Sequence, residues 1–178
     1  MKKLFYLFAA LMISQSLFAQ PEINVKGRNV TILSGDTSPA TDDNTSFNRQ
    51  YTSGATTTQT FTIENIGTTT LTLTGNPSVT GTNSGDFTVT TNPSLSILAG
   101  GSTTFSIRFD PSATGTRTAT VTVNNNDTSE GAYTFTISGI GQSTTQVRWV
   151  NNQGESRPST VTLDGVTYPV FANTYTDI

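Results

Sequence analysis

The sequence contains no cysteine and no histidine, and few of its residues are charged. Without cysteine the chain has no disulfide to stabilise its fold and no thiol nucleophile. Without histidine it lacks the commonest general base and the commonest metal-binding side chain. Charged residues make up 12% of the chain, against roughly 25% in an average domain. These absences predict a protein that is not an enzyme and has no cofactor.

Long apolar runs are equally scarce, because the chain has one, near its start. Lys2 and Lys3 precede the apolar stretch Leu4 to Ile13, which is short for a membrane span. This order is typical of a secretory signal, with cleavage predicted between Ala19 and Gln20. The alternative is an uncleaved N-terminal anchor. We therefore expect a secreted or cell-surface protein, exported by the general secretory route, with no membrane span after signal removal.

Basic residues are outnumbered by acidic ones, 9 to 12, so the formal net charge is −3. Removal of the signal with Lys2 and Lys3 makes the net charge of the chain more negative. An acidic chain repels the phosphates of nucleic acid, so we expect no nucleic-acid partner. The partner that remains is a protein or a glycan.

Threonine is the most frequent residue, and apolar and polar residues alternate with a period of two from the first segments after the signal to Ile137. The segments Thr60–Glu64 and Thr118–Val123 show this clearly. Such alternation predicts antiparallel strands with one buried and one wet face, separated by turns rich in Gly, Asn, Asp and Pro. About seven strands indicate an all-β, immunoglobulin-like sandwich. Its predicted core residues are Phe105, Ile107, Phe109, Val121, Val123, Phe135 and Ile137.

Two regions depart from this pattern. Residues 34–53 lack alternation, and we predict a long, mostly solvated loop that Phe47 pins to the core. After a linker at 142–146, residues 147–178 form a β-rich extension that is too short for its own core. It contains a predicted hairpin with a two-residue turn at Asp164 and Gly165. The extension is either the start of an incomplete second domain or an appendage of the first domain. The first domain is predicted at residues 20–141, after a signal peptide at 1–19.

Several ordered segments resemble the choice-of-anchor D domain of exported bacterial proteins, within the wider Hydin-type (ASH, major-sperm-protein-like) immunoglobulin-like group. The matching segments are PEINVK at 21–26, Gly35-Asp36, FTIENIGTTTLTL at 61–73, DFTV at 86–89 and the whole of 98–141. The resemblance implies an immunoglobulin-like sandwich that serves as a spacer, adhesion or scaffold unit. No recognisable sorting domain follows it, so the anchoring mechanism is not predicted, and attachment through another domain stays open.

Candidate sites are few. Oxygen ligands clustered on loops are what calcium requires, and the weak candidates are Asp42, Asp43, Asp127 and Glu130. The competing interpretation is that these residues build turns. Sugar binding uses exposed aromatic rings, for which the candidates are Tyr51, Trp149, Tyr168 and Tyr175. The leading hypothesis is a non-catalytic structural or interaction module, and the alternative is a carbohydrate-binding module attached to an enzyme outside this chain.

Overall fold

The fold is taken from a computed structural model, which describes residues 19–54 and 56–143, together with the backbone of 160–163 and 166–169. Within these residues the structure consists of strands, turns and a single 3-10 turn at Ser84–Asp86. None of the described segments is a helix with the length and apolar character needed to cross a membrane.

Eleven strands build the domain, more than the predicted seven because several have only two or three residues. The strands are β1 (Ile23–Gly27), β2 (Val30–Ile32), β3 (Gln50–Tyr51), β4 (Thr57–Asn65), β5 (Leu71–Thr72), β6 (Ser78–Thr80), β7 (Phe87–Thr91), β8 (Ser96–Ile97), β9 (Ser102–Phe109), β10 (Gly115–Asn124) and β11 (Ala132–Gln142). One sheet has the order β2-β1-β4-β9-β7 and the other β3-β11-β10-β6. A small third ladder joins β5 to β8.

The core lies between these two sheets, where the inward side chains of the alternating strands meet. All seven predicted core residues are buried, so the predicted strand phase is confirmed. The Phe61 ring stacks on Phe105 of the same sheet at 5.3 Å between centroids, and it joins the other sheet through a tilted contact with Phe135 at 5.5 Å. The structure is thus the predicted all-β immunoglobulin-like sandwich.

Phe47 and a glycine shape the other half of the core. Phe47 is buried, and its ring centroid lies 5.5 Å from Phe87 and 5.8 Å from Phe109, which confirms the predicted pin. Gly139 faces the Phe109 ring so closely that a Cβ there would come within 2.5 Å of it. A strand glycine at such a close approach leaves room for the ring, and any larger residue would displace it.

The segment 34–53 is the predicted irregular loop, with only Asp43, Asn44, Thr45 and Phe47 buried, but it also pairs with the sheet. This segment runs parallel to β11 along its free edge, through bridges of Asp36 to Phe135 and Ser46 to Ser138, and then through β3 beside Gly141 and Gln142. Between the bridges, a turn at 41–44 buries Asp43 and Asn44 against the side of the sandwich. The segment covers the edge that β11 would otherwise expose, which explains why it lacks the alternation of a regular strand.

The hairpin predicted near the C-terminus is present in the structure. Strands β12 (Thr160–Leu163) and β13 (Val166–Pro169) pair antiparallel, with Leu163 opposite Val166. This register leaves two residues between the strands, as the Asp-Gly prediction requires, and the hairpin is confirmed. The division of the chain into 1–19, 20–141, 142–146 and 147–178 stays a prediction.

The first and last strands of the sandwich place its two chain ends far apart. β1 begins with Ile23 opposite Asn65, the last residue of β4. β11 finishes beyond Gly141, which lies opposite Gly115 at the start of β10. We call these the N-terminal end (residues 20–23, 65–69, 97–101 and 124–131) and the C-terminal end (50–54, 56–57, 109–117 and 139–142, with Asp86).

Candidate functional site

Asp127 organises the N-terminal end. Its Oδ1 accepts hydrogen bonds from the Ser129 amide at 2.8 Å and hydroxyl at 2.7 Å, and from the Glu130 amide at 3.3 Å. Its Oδ2 accepts the Ile23 amide of β1 at 3.1 Å, across 104 residues of sequence. The carboxylate therefore forms its own turn and ties the first strand of one sheet to a loop of the other. This is the turn-building role that competed with calcium binding.

Three carboxylates meet here, since oxygen atoms of Glu22, Asp127 and Glu130 lie within 4.8 Å of one another. Burial opposes the ionised form of Asp127, but the hydrogen bonds from Ser129 and Ile23 outweigh it and hold its pKa below the usual value. Burial and the neighbouring charges of Asp127 and Glu22 raise the pKa of Glu130. One pole of the molecule thus concentrates negative charge.

The structure separates the remaining calcium candidates from this group. Asp42 is exposed, whereas Asp43 is buried with its Oδ1 bonded to the amide and hydroxyl of Thr45, at 2.9 and 2.6 Å. The Oδ1 atoms of Asp43 and Asp127 accept hydrogen bonds within their own turns, the Oδ2 atom of Asp127 accepts one from β1, and Glu130 lies beside Glu22. Glu22, Asp127 and Glu130 lie close enough to hold a metal ion together, and the assignment of calcium to Asp42, Asp43, Asp127 and Glu130 stays a prediction.

A third buried carboxylate, Asp86, organises the C-terminal end. It forms an ion pair with Arg117, and its Oδ1 accepts the Ser112 amide at 3.1 Å. Burial again opposes ionisation, but the Arg117 and Ser112 hydrogen bonds outweigh it and lower the pKa of Asp86. The carboxylate joins the 3-10 turn, the turn after β9 and strand β10.

Sequence reasoning missed Asp86 and Glu22 as elements of these clusters. Asp86 lies in the DFTV segment that carried the family resemblance, but its partner Arg117 is 31 residues away and no local spacing links the two. Glu22 precedes β1 of one sheet and Glu130 lies between β10 and β11 of the other, so they meet only when the two sheets pack. The sequence did offer one sign of the role of Asp86: it follows a glycine and immediately precedes a strand, a position where aspartate side chains often cap turns.

The remaining predicted site residues fall partly outside the described residues. Ala19 and Gln20 are exposed at the N-terminal end, and the Gln20 Oε1 atom accepts the Thr128 hydroxyl at 3.2 Å. Tyr51 is 49% exposed beside the C-terminal end. Trp149 and Tyr175 lie outside the described residues, and only the backbone of Tyr168 is described, in β13.

The architecture defines the class of the protein as an immunoglobulin-like β-sandwich domain. The sequence model of one family, described as the HYDIN/CFA65/VesB-like Ig-like domain, matches residues 43–140, more than half of the chain. The chain therefore belongs to the HYDIN/CFA65/VesB-like Ig-like domain family, which confirms the Hydin-type resemblance. Among curated proteins, no sequence matches this chain.

Solved structures with a similar fold come from bacteria and from human. A protein of unknown function from Porphyromonas gingivalis W83 is 19% identical with a TM-score of 0.49, over 68% of this chain and 48% of that one. The Vibrio cholerae VesB protease is 15% identical with a TM-score of 0.41, over 70% and 32%. The ASH/PapD-like domain 7 of human CEP192 is 18% identical with a TM-score of 0.35, over 78% and 96%. The chain spans about half of the first of these proteins and a third of the second.

Proposed function

We propose that the protein is an exported, non-catalytic module, a spacer or adhesin-type domain of a secreted or surface-attached bacterial protein. The observation that carries this proposal is the separation of the chain ends: β1 starts at the N-terminal end and β11 finishes at the C-terminal end. The 11 residues of β11 correspond to a separation of about 35 Å. A module of this shape holds one pole away from whatever follows Gln142.

The sequence supports export and the absence of catalysis independently. Lys2, Lys3 and the apolar stretch after them have the order of a secretory signal. The buried carboxylates Asp86 and Asp127 accept hydrogen bonds from the domain's own backbone and side chains, which is a structural use of charge. The finer resemblance to choice-of-anchor D domains fits this proposal and stays a prediction.

The spacer part of the proposal is tested by measuring the distance between the two ends. The chain has no cysteine, so Gln20→Cys with Ser143→Cys provides unique positions for spin labels. We expect a single distance distribution centred at about 35–40 Å by double electron–electron resonance. A centre below about 20 Å would show that the chain ends share one pole. Gln20→Cys with Thr128→Cys is the short-distance control, because both positions lie at the N-terminal end.

Export is tested by expressing the full chain in a bacterium and sequencing the N-terminus of the exported fraction. We expect Gln20 as the first residue of the exported protein. The variant Ala19→Arg should accumulate as the uncleaved precursor, because cleavage requires a small residue at this position. Recovery of the chain in the cytoplasm with Met1 intact would contradict the export proposal.

A further inference from the structure

Cleavage after Ala19, as the signal predicts, makes Gln20 the first residue of the exported chain. A glutamine at a free N-terminus carries a nucleophile and an electrophile in one residue, the α-amino nitrogen and the carboxamide carbon Cδ. Their reaction closes an unstrained five-membered ring, and it is favoured because both groups are already held together. Closure requires that the fold leave these two groups of Gln20 free to react.

The fold holds Gln20 by its carbonyl side. Residues 20–22 lie directly against Gly67, where an added Cβ atom would collide with the Gln20 carbonyl and the Glu22 amide. The Gln20 carbonyl accepts the Thr68 amide at 2.9 Å, and the Glu22 carbonyl accepts the Ile66 amide at 2.9 Å. Within the described part of the chain, no hydrogen bond involves the backbone nitrogen of Gln20. The residue is therefore fixed in place while its nitrogen stays available.

The side chain of Gln20 is held by the oxygen that ring closure retains. Its Oε1 atom accepts the hydroxyl of Thr128 at 3.2 Å, and both residues are exposed. In the closed ring Oε1 becomes the lactam carbonyl oxygen, so this contact and the one to the main-chain carbonyl both use atoms that the product keeps. During attack on Cδ the Oε1 atom gains negative charge, and a donor already aimed at it stabilises that charge.

We propose that the exported protein begins with pyroglutamate, formed from Gln20 with the Thr128 hydroxyl promoting the closure. The neutral α-amino nitrogen bonds to Cδ, the bond from Cδ to Nε2 breaks, and Nε2 leaves as ammonia with one proton from the amine. Nothing is oxidised or reduced, and no co-reactant is consumed. This inference rests on the proposed export and on cleavage after Ala19.

Closure also sets the charge of the N-terminal end. The residues of this end include no lysine and no arginine, so a free α-ammonium group on Gln20 would be their one cation. Pyroglutamate has no α-ammonium group, and the carboxylates of Glu22, Asp127 and Glu130 then keep this pole negative. The closed ring also removes the free amine that aminopeptidases recognise, which protects the start of β1 from trimming.

The first test is the mass of the exported chain, with tandem mass spectrometry to locate the change. We expect a mass lower by one ammonia than that of an open chain from Gln20, with the loss at residue 20. The control Gln20→Ser has no carboxamide and should show an open N-terminus. An open Gln20 at the start of an exported chain overturns this inference and leaves the export proposal intact, whereas a chain that keeps Met1 overturns both.

The second test isolates the role of Thr128 and does not depend on export. The chain is released from a fusion partner with Gln20 as its first residue, and ammonia loss is followed at pH 8, close to the ordinary α-amino pKa of about 7.7–8.0. Thr128→Val should slow closure about two- to tenfold, the effect of losing one neutral hydrogen bond to the charged oxygen. The matched control is Thr116→Val, an exposed threonine of the C-terminal end, which should react at the wild-type rate.

The melting temperatures of the two variants are compared with that of the wild-type chain, so that a slower reaction is not mistaken for unfolding. An unchanged or faster rate in Thr128→Val overturns the role of Thr128. A released wild-type chain that loses no ammonia overturns the inference as a whole.

Discussion

The two ends of the sandwich are each held by one buried aspartate, but the donors differ. At the N-terminal end Asp127 accepts hydrogen bonds from amides and a hydroxyl, and its acidic neighbours Glu22 and Glu130 add negative charge. At the C-terminal end Asp86 has a cation, Arg117. Burial opposes ionisation of Asp127, but hydrogen bonds from the Ser129 hydroxyl and from backbone amides outweigh it and lower the pKa of Asp127 without a cation. The comparison predicts different responses to mutation, salt and pH.

The largest effect is expected in the core that joins the two ends. Phe135 lies on β11, is 1% exposed and packs against Phe61. Phe135→Ala should lower the free energy of unfolding by about 3–5 kcal/mol, because it removes a large apolar side chain and leaves a cavity. Urea unfolding followed by circular dichroism measures this loss. The neighbouring outward residue offers the control: Thr136→Ala should change stability by less than about 1 kcal/mol. A near-zero loss for Phe135→Ala would contradict the observed strand phase.

The next largest effect is expected when the hydrogen bonds of Asp127 at the N-terminal end are removed. Asp127→Ala leaves the Ile23 amide and the Ser129 donors without their acceptor, and we expect a loss of about 2–3 kcal/mol. Asp42→Ala, an exposed aspartate on a turn, should have almost no effect. Equal losses in both variants would mean that the hydrogen bonds of Asp127 contribute nothing.

The contribution of Asp127 also depends on pH. Since folding lowers the pKa of its carboxyl, the stabilisation is present above the unfolded pKa of about 3.9 and is lost as the pH falls through the folded value. The difference in stability between the wild-type protein and Asp127→Ala should therefore shrink in acid.

At the C-terminal end a smaller loss is expected. Arg117→Met removes the cation from Asp86 but leaves the Ser112 amide as a donor, and the arginine side chain is 18% exposed. We expect a loss of about 1–2 kcal/mol. Because salt screens a partly exposed ion pair, the loss should decrease in 1 M sodium chloride, whereas that of Asp127→Ala should not. Identical salt responses would remove the distinction between the two ends.

The smallest expected effect is a gain in stability, from a substitution of Glu130. Folding raises the pKa of Glu130, so its ionisation opposes folding: the favourable contribution is present below the unfolded pKa and is lost as the pH rises through the folded value. Glu130→Gln should stabilise the protein at pH 7 by about 0.5 kcal/mol. The advantage should vanish near pH 3, where both side chains are neutral. Thermal melts at the two pH values check this, and destabilisation at pH 7 would contradict the charge repulsion.

Local patterns were enough to predict the strands and the core. The alternation around Phe105, Val121 and Phe135 identifies the inward side of each strand without any knowledge of its partners, because successive residues of a strand point to opposite faces. The Asp-Gly pair likewise predicted the β12–β13 register from turn geometry alone. The irregular segment 34–53 was predicted as a loop pinned by Phe47, but its pairing with β11 was not predicted, because isolated bridges and a turn carry no sequence period.

The sequence by itself determined the all-β class, the buried face of each main strand, the pinning role of Phe47 and the family. Only the tertiary structure decided that Glu22 joins Asp127 and Glu130 and that Arg117 neutralises Asp86. The physical reason is separation along the sequence. Burial follows from the periodicity within one strand, whereas these contacts join residues from distant strands and loops that the two sheets bring together. Charge and hydrogen bonding at the surface are therefore properties of the fold rather than of any single segment.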